Sequence, residues 1–220
     1  MSMQDARKPP ILTIPLIFLL CAVAGSVDAI AYLLCGQIFV ANMTGNTVLL
    51  AISLLQGEFA KAALRGGLVA AFLASVIVTR LLARNADRPM TKKQRIWVLG
   101  LEMLVLLLLA WKSTGAPTIA FLLLLAGMLG TQNGAFQYIG GFHLNTTFVT
   151  GDLAKLGEAM TDTVDTLLKT SVFLSSWIGY VGGALLGALG ARDIPRHAFL
   201  VPMLLTVASA VTVLLTPERA

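Results

Sequence analysis

The chain alternates long apolar runs with short polar punctuation. Unbroken hydrophobic stretches fall at roughly 11–34, 64–84, 96–112, 117–138, 168–190 and 197–215. Each approaches the ~20 residues that a helix needs to cross a ~30 Å hydrocarbon core, so six full spans are predicted. Two further segments, 37–56 and 142–160, depart from the pattern. The first, around "ANMTGNTVLL", is apolar but interrupted by Asn42, Thr44, Gly45 and Asn46. The second, "FHLNTTFVTGDLAKLGEAM", is too polar to face lipid. The expected fold class is all-α: a polytopic transmembrane helical bundle of about six spans plus two broken, half-helical segments.

Composition fits that reading. Hydrophobic residues make up 57% of the chain and charged residues 12%, about half the charged share of a soluble domain. The spans tile the length, so residues 1–220 read as a single integral membrane domain whose partner is the lipid bilayer. The net charge of +5 bears on topology and not on nucleic acid, because no basic patch interleaved with aromatics occurs. Cys21 and Cys35 both lie in apolar sequence and suggest neither a disulfide framework nor a metal site. The first apolar run is too long for the core of a signal peptide and reads as a retained helix.

Charge sets the expected orientation. Arg84, Arg88, Lys92, Lys93 and Arg95 crowd one short loop, and Arg7 and Lys8 precede the first span. Positively charged loops stay cytoplasmic, so both termini and this loop are expected inside, in a bacterial inner membrane, with 113–116 outside. That requires segment 37–56 to enter and return, or to lie buried half-way. Trp97 and Trp111 bracket the fourth span where indole rings settle at the two interfaces.

An internal repeat strengthens the picture. At an offset of 106, Thr44-Gly45 falls on Thr150-Gly151, Asn46 on Asp152, Tyr32 on Tyr138 and Ala29 on Ala135. The hydropathy profile keeps step, with halves of about 11–112 and 117–216. Three crossings per half put the copies in opposite orientations, the inverted-repeat plan of many secondary transporters, whose sites lie at matching interrupted helices.

The breaks themselves suggest chemistry. "QIFVANM" and "HLNTTFV" are β-prone, whereas "NTVLLAISLL" and "DLAKLGEAM" favour helix. Gly45 and Gly151 are expected to permit a bend, with Thr44 or Asn46, and Thr150 or Asp152, as N-caps. A half-helix starting at membrane depth carries free amides and a positive dipole end, which protein, water or ligand must satisfy. Two such starts meeting near the midplane would suit an anionic or carbonyl-bearing solute. A capped loop without any ligand is the plainer alternative.

Other intramembrane polar residues extend the candidate site. Asp28 is the only charge in the first span, and a central carboxylate costs about 2.5–3.5 kcal/mol on insertion scales. It is expected beside the first break and within reach of a pocket formed by both breaks, where it could support solute or proton coupling. Its counterpart region, "GTQNGAFQY", offers Gln132 and Asn133. The substrate-binding set is thus Asp28, Asn42, Thr44, Gly45, Asn46, Gln132, Asn133, Thr150, Gly151 and Asp152. Glu102 has Arg80 or Arg65 as conceivable partners. Gly25 and Gly130 would allow close backbone approach, and Gly179, Gly183 and Gly187 form a small-residue ladder for helix contact, within the chain or in a homodimer.

The stretches "VDAIAYL…FVANMTGNTVLLA" and "GTQNGAF…TTFVTGDLAKLGEAM" resemble the YoaK-like family of bacterial inner-membrane proteins over nearly the whole length. The resemblance implies this topology and a small-molecule-transporter-like role; it brings no catalytic or ligand residues. The leading expectation is a secondary transporter or channel for a small polar or anionic solute, without cofactor. No nucleotide-binding motif points to ATP. An intramembrane enzyme lacks any metalloprotease or Ser–His signature here. A non-transporting scaffold is the third reading.

Overall fold

The computed structural model of the chain describes residues 12–83, 90–111, 118–147, 149–162 and 166–217. Arg7, Lys8, Arg84, Arg88 and residues 113–116, which carry part of the topology expectation, lie outside the described residues. The helices are α1 (Thr13–Leu34), α2 (Met43–Leu55), α3 (Phe59–Leu82), α4 (Lys92–Trp111), α5 (Ile119–Ala135), α6 (Val149–Thr161), α7 (Thr166–Asp193) and α8 (Leu200–Leu215). A two-residue hairpin, β1 (Tyr138–Ile139) with β2 (Phe142–His143), precedes α6.

Each predicted span corresponds to one long helix. Among the described residues, four stretches are long and apolar enough to cross a membrane: Thr13–Leu34, Phe59–Leu82, Thr166–Asp193 and Pro195–Leu215. At 17 residues, α5 is shorter, and α4 carries Lys92, Lys93, Arg95 and Glu102 within its 20. The two broken segments contain the 13-residue helices α2 and α6.

Local chemistry explains the element ends. Thr91 and Gln94 form a reciprocal capping box at the start of α4: the Thr91 amide donates to Gln94 Oε1 (2.9 Å) and the Gln94 amide to Thr91 Oγ1 (3.3 Å). Helix α1 stops at a Schellman turn, in which the Gln37 amide reaches back to the Tyr32 carbonyl (3.1 Å) across Gly36 at φ 85°. Lys92 Nζ donates to the Leu214 carbonyl (2.6 Å) and the Thr216 carbonyl (3.0 Å), tying the start of α4 to the end of α8. A cation suits those terminal carbonyls.

Helix α1 is the centre of the bundle, buried from Leu20 to Ala31 except for Ala29. A helix apolar on every side belongs inside. Its closest partner is α7, as α5 is for α3. The glycines make both approaches feasible: a Cβ at Gly179, Gly183 or Gly187 would strike the α1 backbone at Phe18, Ala22 or Ser26. A Cβ at Gly130 would strike the Phe72 carbonyl and Ser75 on α3. The ladder on α7 is therefore spent within the chain and leaves the homodimer expectation without support from it. Outward faces stay apolar, as at Leu73, Ile77 and Leu81 on α3 and Leu185 and Leu189 on α7, which is what lipid contact requires.

Two buried clusters mark the ends of the bundle. One joins the start of α1 (Leu16, Ile17), the start of α4 (Val98, Leu99), the end of α5 (Ala135, Phe136), the start of α7 (Val172, Phe173) and the end of α8 (Val213), together with Ile139 and Leu144. The other joins the end of α1 (Ile30, Ala31), the end of α4 (Leu106, Leu109), the start of α5 (Leu122) and the end of α7 (Ala191), together with Ile38, Val40 and Ala41. Leu64 and Leu68 at the start of α3 belong to that second cluster, while Thr79 near its end meets Gly134 near the end of α5. Successive long helices therefore alternate in direction. The two broken segments lie at opposite ends.

Candidate functional site

The first break is built around Asp28. After the turn at Gly36, residues 38–42 run back into the bundle and α2 starts there. Asp28 lies six residues before the end of α1, about 9 Å inside it at 1.5 Å per residue. Its buried carboxylate accepts the amides of Val40 (2.7 Å), Ala41 (2.7 Å) and Asn42 (3.0 Å) and the Tyr180 hydroxyl (2.6 Å). Four donors fill the acceptor sites of an ionised carboxylate. The expected position beside the first break is correct, but the anion for its free amides comes from the chain itself.

The Thr-Gly pairs are not where the chain bends. Asn42 is the N-cap of α2, its Oδ1 accepting the Gly45 amide (3.1 Å). Thr44 and Gly45 fall in the first turn, so Thr44, which is exposed, and Asn46 are not the cap. A Cβ on Gly45 would come within 3.0 Å of the Phe39 ring, so the glycine serves packing. Thr150, Gly151 and Asp152 likewise lie inside α6, which begins at Val149; Thr150 is exposed. The turns lie earlier, at Gly36 and at Gly140-Gly141 (φ 59° and 88°), a two-residue hairpin loop with both angles positive. Neither β-prone stretch forms its own strand: 37–42 is irregular, and the ladder ends at His143. Once Asp28 takes the amides of 40–42, no sheet partner is needed.

Asn46 and Asp152 occupy the same place, the fourth residue of α2 and of α6, and both are fully buried. Asn46 donates to the Phe39 carbonyl (2.7 Å), leaving Oδ1 without a partner. The Asp152 carboxylate lies beside the Ser176 hydroxyl and the Asn145 amide, but closes a well-formed hydrogen bond with neither. Gln132 on α5 joins this second group, donating to Thr146 Oγ1 (2.9 Å) and the Leu20 carbonyl (3.1 Å). Its Oε1 has no partner. Asn133, its neighbour, is half-buried with an unpaired Oδ1, and among the described residues no side-chain hydrogen bond joins it to either group.

The seam between α1 and α7 connects the breaks. Ser176 beside Asp152 and Tyr180 bonded to Asp28 are four residues apart on α7, about 6 Å along its axis. Helices α2 and α6 pack mainly on α3 and α7 and not on each other. The two groups thus meet through α7 and not tip to tip.

Sequence reasoning missed two features. Tyr180 gave no signal beyond being one hydroxyl among several in a largely apolar helix. A cleft of about 390 Å³ lies at the hairpin end, lined by His143, Lys155, Glu158, Asp162, Lys169 and Phe173 among others. Three of its charges are already engaged, and Glu158 is exposed: Lys169 pairs with Asp162, and Lys155 donates to the His143 carbonyl (2.7 Å). Partial burial, then the Lys155 and Arg80 charges, hold the His143 imidazole below its usual value.

These features define a polytopic helical membrane protein with two broken segments. Residues 16–212 match the family described as "Protein of unknown function (DUF1275)". The chain belongs to that family, the YoaK-like membrane proteins. It is 31% identical over 202 residues to the UPF0700 transmembrane protein YoaK of Bacillus subtilis (strain 168), covering 86% of this chain and 89% of that one. To the UPF0700 transmembrane protein RA0705 of Rhizobium meliloti (strain 1021) it is 28% identical over 198 residues, covering 89% and 84%. No solved structure matches.

Proposed function

We propose that this protein is a secondary transporter or channel for a small polar solute rich in hydrogen-bond donors, held at the second break. One observation carries the reading: Gln132 Oε1 and both Asp152 oxygens are buried without well-formed partners, next to segment 145–146. Polar groups buried in a bilayer are seldom left unpaired, and they mark solute or ion pathways. All three are acceptors. An amine, amide or polyol satisfies them and an anion does not, so of the polar and anionic solutes expected from sequence, the polar class is favoured.

The surroundings support the reading. The helix pairs α1–α7 and α5–α3, α2–α3 and α6–α7, and α1–α8 and α5–α4 correspond under exchange of the two halves. With breaks at opposite ends, this is the contact pattern of an inverted repeat with six spans. The starts of α1 and α4 and the end of α8 share one end, where Lys92, Lys93 and Arg95 also lie. That end is cytoplasmic, in an inner membrane, by the positive-inside rule.

Uptake of labelled amines, amides, polyols and organic acids into proteoliposomes tests the function. Saturable uptake of a donor-rich solute, reduced at least tenfold by Asp152→Asn, is expected. Uptake confined to anions, or none across the panel, contradicts the proposal. For orientation, Lys93→Cys in a chain lacking Cys21 and Cys35 should resist an impermeant thiol reagent in intact spheroplasts. Strong labelling from outside would reverse it.

A further inference from the structure

Glu102 is a third buried carboxylate, besides Asp28 and Asp152, and its setting is the reverse of Asp28's. It sits mid-way along α4, 1% exposed, with neither carboxyl oxygen hydrogen-bonded. The partners conceivable from sequence are occupied elsewhere. Arg65 donates to the Leu49 carbonyl (2.9 Å) and to Ser53, and Arg80 lies 5.7 Å over the Tyr138 ring. Glu102 shares its stripe with Val98, Leu99, Val105, Leu106 and Leu109, at the level where one buried cluster gives way to the other.

Nothing packed against α4 balances a charge there. Helices α5 and α8, its main partners, contain no charged or titratable side chain. The buried hydroxyls of α8 are turned to their own helix: Thr206 donates to Pro202, Ser209 to Leu205 and Thr212 to Ala208. On α1, which shares both clusters with α4, the titratable groups are Cys21, Asp28 and Tyr32. Asp28 already has its four donors, and Tyr32 is 39% exposed. On α4 itself Arg95 lies two turns away, bonded to the Tyr138 carbonyl. Farther off, at the start of that helix, Lys93 is exposed and Lys92 is bonded to the end of α8.

A carboxylate with neither water nor donor is far costlier than the neutral acid. A neutral acid has a proton to give. We infer that Glu102 is a proton-binding site in the membrane interior, holding a neutral carboxylic acid that exchanges its proton with water. This goes beyond the solute reading, and supplies that reading with a coupling ion. It also moves proton handling from Asp28, a strut, to α4.

Two measurements on the full chain in lipid, with no solute present, decide it. Infrared difference spectra between H₂O and D₂O buffer should show a protonated-carboxyl C=O band that shifts on deuteration. The Glu102 share of that band should be lost in Glu102→Gln, retained in Asp28→Asn and in Asp152→Asn, and restored in Glu102→Asp. Dicyclohexylcarbodiimide should modify the wild-type peptide containing Glu102. The acid O–H adds across one C=N bond, its proton going to nitrogen, and rearrangement gives a stable acylurea with no leaving group. A missing band, a band undiminished in Glu102→Gln or blind to D₂O, or an unmodified peptide overturns the proposal. If Glu102→Gln does not fold, the deuterium shift and the modification of the wild-type chain decide alone. Because no solute is used, failure here leaves the transport reading intact, and failed uptake leaves this one intact.

Discussion

The two breaks have the same plan and opposite electrostatics. In the first, a carboxylate from α1 answers three amides of the incoming strand-like segment, and Tyr180 completes its shell. Only Asn46 Oδ1 is left over. In the second, the position aligned with Asn46 is itself a carboxylate, Asp152, and the α5 group facing the segment is an amide, Gln132. The first case leaves one acceptor oxygen over and the second leaves three. One break is closed on Asp28, and the other keeps its acceptors unpaired. Two segments with the same local plan thus differ in how far their polar groups are satisfied, through a few side chains.

The comparison breaks most sharply at the two aspartates. Asp28→Asn sets an NH₂ donor against the amides it should accept and leaves at least two donors unpaired, at about 1–3 kcal/mol each. A loss of roughly 2–6 kcal/mol is expected in unfolding titrations with dodecyl sulfate in mixed micelles. Asp152→Asn surrenders no well-formed bond and should cost under about 1 kcal/mol. Equal losses would mean that the joints are alike. Next comes the seam through which α7 serves both breaks. Gly183→Ala drives a methyl into the Ala22 backbone, and overpacking of this kind costs about 1–3 kcal/mol. An unchanged unfolding midpoint would show that α1 and α7 are not held this closely. The smallest effect belongs to Asn42→Ala. It removes the cap of α2 but keeps the backbone amide on Asp28, so about 1 kcal/mol is expected. A loss as large as that of Asp28→Asn would transfer the joint from the carboxylate to the cap.

How much of this could be read from sequence depends on whether the cause was local. The long helices were legible because lipid imposes a length and a composition on each. The inward return at 37–42 followed from charge bias, and the proximity of Asp28 from a short connection. The bend was misplaced because Thr-Gly looked like punctuation. Glycine in the first turn of α2 instead makes room for Phe39, a contact that only the folded chain reveals. The cap went to Thr44 or Asn46 for the same reason, although Asn42 stood equally available. Tyr180 bonds a residue 152 positions away, and no spacing rule reaches that far. Glu102 was visible as a charge in an apolar run; its lack of partners was not, since Arg65 and Arg80 turn elsewhere.

The central claim, a closed first break and an open second one, reduces to water access at two aligned positions. Asn46 and Asp152 are both fully buried, so static exposure does not separate them. In a chain with Cys21 and Cys35 replaced by alanine, Asn46→Cys and Asp152→Cys place one thiol at each. The account predicts that a small methanethiosulfonate modifies the Asp152→Cys protein in liposomes at least tenfold faster than the Asn46→Cys protein. Equal rates, or faster modification at position 46, would contradict it.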